Sequence, residues 1–106
     1  MSIVQTIIEF KYTNSIRQAQ EIEKIAAELA RLSNRDMTDA IQAINQNWTG
    51  ENASTYLAKT TDTRNDISKT AISLQKTAAS ITKIAQNLYN AEMNALTIAS
   101  ERRYGS

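Results

Sequence analysis

Two tetrapeptides, Ser73-Leu74-Gln75-Lys76 and Ser80-Ile81-Thr82-Lys83, carry the Ser-Xaa-Xaa-Lys spacing of serine acylases. In such enzymes the lysine lies beside a nucleophilic serine, and an oxyanion hole and further polar motifs complete the site. Both copies here fall in one long stretch of helical pattern, and neither has those companions. The chain has no histidine and no cysteine. That removes the usual general base, the thiolate nucleophile and the soft metal ligands. The eleven carboxylates are scattered, with no pair isolated on an apolar face. Asn47-Trp48-Thr49 and Asn52-Ala53-Ser54 match glycosylation acceptors by pattern only. The expectation is a non-enzyme that holds no cofactor and no metal.

The chemistry therefore has to be that of surfaces. Twelve basic residues against eleven acidic ones give a net charge of +1, so no basic field points to nucleic acid or to an anionic membrane. The opening Met1–Phe10 segment has no basic region ahead of its apolar residues, and Gln5, Thr6 and Glu9 interrupt them. It does not read as a secretory signal peptide. No stretch approaches the roughly 20 apolar residues of a membrane span, so no stable membrane insertion is expected.

Turns need residues that accept or impose unusual backbone angles, and this chain has two glycines and no proline. Its abundant Ala, Gln, Glu, Lys, Arg and Leu favour helix. The fold class is all-α, built from few and long helices. At 106 residues with 42% apolar content and six aromatic side chains, a closed globule would be short of core.

Along the chain, Ile8, Phe10 and Tyr12 alternate with Glu9 and Lys11, a period of two that predicts an extended arm over 1–13. Ser15 and Gln18 stand at capping-box spacing, which places the start of helix one at about residue 14. Helix one, 14–47, carries Ile22, Ile25, Leu29, Leu32, Met37, Ile41, Ile44 and Trp48 at steps of mostly three and four. Glu21 with Lys24 and Glu28 with Arg31 set opposite charges on its other face. The apolar register slips between Asn34 and Asp36. Residues 47–50 form the one strong break, with Gly50 free to take a left-handed backbone and Thr49 placed to cap the second helix.

Helix two, 51–102, shows a sustained heptad seam. It reads Ala53, Tyr56, Thr60, Thr63, Ile67, Thr70, Leu74, Thr77, Ile81, Ile84, Leu88, Ala91, Ala95 and Ile98, with Leu57, Ala71, Ala78, Ala85 and Ala99 widening one side. Two helices joined by a four-residue turn run antiparallel. Such a hairpin, spanning 14–103, is a single layer and leaves apolar surface uncovered, whereas a domain needs two packed layers. The expected architecture is a hairpin that pairs into a four-helix bundle dimer. Its expected interface residues are Ile25, Leu29, Ile41, Ile44, Ile67, Leu74, Ile81, Ile84 and Leu88.

A chain of about 100 residues with Trp48-Thr49-Gly50 in a mid-chain turn between two long amphipathic helices resembles the WXG-type (Esx-type) proteins of bacterial type VII secretion systems. The resemblance covers nearly the whole chain. It implies a hairpin that dimerises with itself, with a paralogous WXG-type protein or with a toxin's helical domain. It implies export without a signal peptide, by a type VII export ATPase, of a protein that is cytoplasmic beforehand. The family's signal joins the Trp-Xaa-Gly turn of one chain to a Tyr-Xaa-Xaa-Xaa-Asp/Glu element of the other. Here Tyr89 precedes Glu92 by three residues, and Leu88 precedes it by four. The candidate recognition residues are therefore Trp48, Gly50, Leu88, Tyr89 and Glu92. Two other functions fit the same helices: a cytoplasmic targeting adaptor for a larger type VII toxin, and a coiled-coil scaffold with no secretion role.

Overall fold

The computed structural model describes residues 2–104, with side chains described as far as Arg102. Every regular element among the described residues is helical. In chain order these are α1 (Ile3–Arg31), a π-helical turn (Leu32–Asp36), α2 (Met37–Asn47) and α3 (Glu51–Tyr104). The described residues are all-α, in few and long helices, as the composition implied.

The arm expected over 1–13 is helix from Ile3 onward; Met1 lies outside the described residues. Ser2 supplies the reason. Its Oγ accepts the Gln5 backbone N–H at 3.0 Å, so the cap is the Ser-Xaa-Xaa-Gln pattern at Ser2, and Ser15-Gln18 falls inside α1. The Gln5 side chain donates onward to Glu9 Oε1 at 3.2 Å, one turn along the same helix. The alternation of Ile8, Phe10 and Tyr12 is real but short, and Ile3, Ile7 and Phe10 satisfy helical spacing equally well. With no partner strand to receive the arm, its backbone bonds close within the helix.

The register slip has a definite form. Leu32 to Met37 is a step of five, and the Met37 N–H bonds the Leu32 carbonyl, closing a π turn. Such one-turn π bulges absorb an inserted residue inside a helix. Ser33 sits fully buried in it, its hydroxyl donating to the Ala30 carbonyl at 3.1 Å. Thr38 Oγ1 in turn donates to the Ser33 carbonyl at 3.2 Å.

Asn47 ends α2 by donating its side-chain amide to the Ala43 carbonyl at 2.7 Å. Trp48 is extended, at φ −113° and ψ 140°, and Gly50 has φ +102°. The Gly50 carbonyl then accepts the Ser54 N–H at 3.2 Å, opening α3. The Thr49 hydroxyl makes no capping bond. A Cβ built on Gly50 would meet nothing within 4 Å, so substitution there is opposed by backbone conformation alone. Gly50→Ala is expected to cost about 1–2 kcal/mol, read as a lower midpoint in urea unfolding with unchanged slope.

The contacts divide the chain into two units. The first joins Met1–Glu21 to Thr77–Ser106, and the second is Ile22–Lys76. In the first, α1 buries Ile8 and Ala19 and α3 buries Ala78 and Ala85. In the second, Ala26 and Ser33 are buried along with Ala53 and Ala71 of α3. Ala53, Ile67, Leu74 and Ile81 of the expected heptad stay in or beside the seam, while its alternate positions move one residue on. From there it runs through Ala71, Ala78 and Ala85, which were read as its margin, while Tyr56, Thr63, Thr70, Thr77, Ile84, Leu88, Ala91, Ala95 and Ile98, and Ala99 of the margin, face solvent. Small side chains let helix backbones approach closely, which rewards the alanine row over the bulkier one. Exposed threonines are tolerated because they bond backward within the helix: Thr63 Oγ1 to the Lys59 carbonyl at 3.0 Å, and Thr70 Oγ1 to the Asp66 carbonyl at 3.0 Å.

Close packing makes the alanines sensitive to growth. Ala26 is fully buried, and Ala26→Leu forces in a bulkier, branched side chain. Overpacking of this kind costs roughly 1–3 kcal/mol, so a thermal melt followed by circular dichroism should move down by several degrees. An unchanged melt would mean that the alanine row does not set the helix spacing.

Candidate recognition site

The residues singled out at the turn lie in the second unit. Trp48 is 55% exposed and packs its ring against Tyr56, early in α3, with centroids 5.8 Å apart and planes inclined by 36°. The indole is not the buried plug of a bundle end. It is held on the surface by one aromatic neighbour, beside the backbone kink at Gly50.

Leu88, Tyr89 and Glu92 lie in the first unit, where α3 runs antiparallel to α1. Tyr89 packs on Tyr12 of α1 with ring centroids 4.8 Å apart, inclined by 44°. Glu92 Oε2 receives a charge-assisted hydrogen bond from Lys11 Nζ at 3.0 Å, the one ion pair among the described residues. The expected surface pairs Glu21–Lys24 and Glu28–Arg31 are not formed. Leu88 is 51% exposed and lines, with Ile8, Lys11 and Glu92, a shallow groove on the same edge. Beside the two tyrosines, an open cleft of about 580 Å³ is lined by Glu9, Thr13, Gln86, Asn87 and Asn90. Its lining is neutral apart from Glu9.

The expected interface residues divide in two. Leu29, Ile41, Ile44, Ile67, Leu74 and Ile81 are half-buried. Ile25, Ile84 and Leu88 are solvent-facing and do not belong to the seam between helices. Ile25 and Ile84 share a rule with two other exposed apolar side chains, in that each stands one residue before a buried one. The pairs are Ile7 before Ile8 and Ile84 before Ala85 in the first unit, and Ile25 before Ala26 and Leu32 before Ser33 in the second. One residue is about 100° of helical rotation. In an antiparallel pair the same sense of rotation on both helices leads to the same side. In the first unit, Ile3, Val4, Ile7 and Phe10 of α1 therefore share one flank with Ile84, Leu88 and Ile98 of α3, all exposed. These are exposed apolar side chains on one flank of the first unit. The spacing Ile3, Ile7, Phe10 could have revealed its α1 half, had the segment been read as helix.

Among the described residues, no group of three or more His, Cys, Asp or Glu side chains is placed to hold a metal, and no helix is long and apolar enough to cross a membrane. Ser73 and Ser80 lie mid-helix on α3 and are exposed, and neither lines either of the two clefts described above. No family model, no curated protein and no solved structure matches this chain.

Proposed function

We propose that this chain is a substrate or co-secreted partner of a type VII secretion system, one that pairs with a second helical hairpin and presents an export signal. The observation that carries the reading is the state of Trp48. A tryptophan between two long helices, half-exposed on Tyr56 and followed two residues later by a glycine at positive φ, leaves its ring open to solvent, which supports a role in contact with another molecule. Buried tryptophans serve packing, and this one contributes little to it. The apolar flank of the first unit supports the pairing. It offers four aliphatic and aromatic side chains from α1 and three from α3 that are exposed.

The apolar flank equally suits an adaptor whose partner is the helical domain of a larger toxin. Fractionation of native-host cultures, with and without a working type VII export ATPase, separates the readings. Release into the medium that depends on the ATPase is the expected result. Retention of the protein in cells of both strains would move the reading to an adaptor that stays behind, or to a scaffold.

A further inference from the structure

We propose that Lys11 and Tyr12 of α1 are positioning residues for the export element, so that the element spans two helices and is not a free stretch of α3. The proposal rests on the secretion reading above and extends it to residues outside the tail. In α3, Tyr89 and Glu92 are three positions apart and share a helix edge. Each meets one of two consecutive residues of α1: Tyr12 lies against Tyr89 at 4.8 Å between centroids, and Lys11 holds Glu92 at 3.0 Å. Four side chains thus form a single clasp across the helix pair.

The clasp is poorly suited to a purely structural task. The Lys11 side chain is 53% exposed and that of Glu92 27%, and ion pairs so open to water add little to folding. What the pair does accomplish is orientation. A glutamate on an open helix surface samples several rotamers, whereas here its carboxylate is directed by an ammonium on the facing helix. The ring of Tyr89 is likewise fixed by Tyr12. Leu88 remains exposed beside them. A partner meeting this edge therefore encounters an apolar side chain and an oriented, half-neutralised carboxylate. That geometry exists only while α1 is docked, so the element reports a folded hairpin.

The test uses the full chain in its native host with a working export ATPase, comparing Lys11→Ala, Tyr12→Ala, Lys11→Arg, Tyr12→Phe and Trp48→Ala. Release into the medium is measured beside the melting temperature and solution mass of each purified variant. Lys11→Ala should lower release at least tenfold while melting and mass stay as in the parent, and Tyr12→Ala should lower it as far while melting falls by only a few degrees and mass stays as in the parent. Lys11→Arg and Tyr12→Phe, which keep the charge and the ring, should retain release. Normal release of both alanine variants beside blocked Trp48→Ala would overturn this proposal and leave the secretion reading standing. A fall in release matched by loss of folded or paired protein would reduce the clasp to a structural role and overturn it too. A parent chain released independently of the ATPase, or not at all, would remove the secretion reading and this proposal with it.

Discussion

Trp48→Ala should abolish ATPase-dependent release while leaving the helices almost as stable as before. The two halves of that expectation come from one fact, that the indole is about half in water. Full burial of a large apolar side chain contributes roughly 1.5–3 kcal/mol; on that scale a half-covered ring resting on Tyr56 accounts for about 1 kcal/mol of folding. Removing it should shift a thermal melt by a few degrees at most. Recognition is another matter, because an exposed tryptophan is the kind of anchor on which a binding surface concentrates its energy. Release measured by fractionation, set beside circular dichroism of the purified variant, reads both. Undiminished release of Trp48→Ala would remove the turn from the signal. Lost release together with lost helix would return Trp48 to a packing role.

The second large effect concerns the apolar flank. The double variant Ile7→Glu, Ile84→Glu should remain helical yet fail to pair. Both side chains face solvent in the single chain, Ile84 being 64% exposed, so charging them disturbs no seam. In a paired state each would lose the burial of the half to two-thirds of an isoleucine still open in the single chain, roughly 1–2 kcal/mol, and would bring a carboxylate into an apolar contact. A combined loss above about 3 kcal/mol corresponds to more than roughly a hundredfold in the dissociation constant. Sedimentation velocity over a concentration series measures this directly. A parent dimer unaffected by the double variant would place the pairing surface elsewhere. A parent that stays monomeric until mixed with a toxin's helical domain would favour the adaptor reading, with the same flank as its docking surface.

Which features could be read in advance depended on how local their physics is. The break at Trp48–Gly50 was visible because a glycine among helix formers has few other uses, and its φ of +102° is what the turn requires. The slip near Asn34 was visible as a step of five from Leu32 to Met37, and it is the π turn. The first helix begins well ahead of residue 14, at Ile3, because two Ser-Xaa-Xaa-Gln patterns competed for the cap. A few residues of alternation cannot separate a strand from a helix. Only the lack of a partner strand decides, and that is a property of the whole chain.

The heptad seam shows the same division. Periodicity established that α3 is one long helix with an apolar stripe wider than a single neighbour can cover. It did not say which edge of the stripe faces α1, because rows one residue apart repeat with the same period. The packing chose Ala71, Ala78 and Ala85 over Thr70, Thr77 and Ile84, since small side chains allow closer approach. That choice left the larger residues exposed on one flank and created the face on which the proposed pairing depends. It also brought Lys11 and Tyr12 against Glu92 and Tyr89, contacts between residues far apart in the chain. By itself, the sequence determined the helices, the turn and the existence of surplus apolar surface, all consequences of composition and short-range spacing. The phase of the seam, the flank left open and the company of Glu92 were decided only by tertiary packing, because each depends on how one helix is rotated against another.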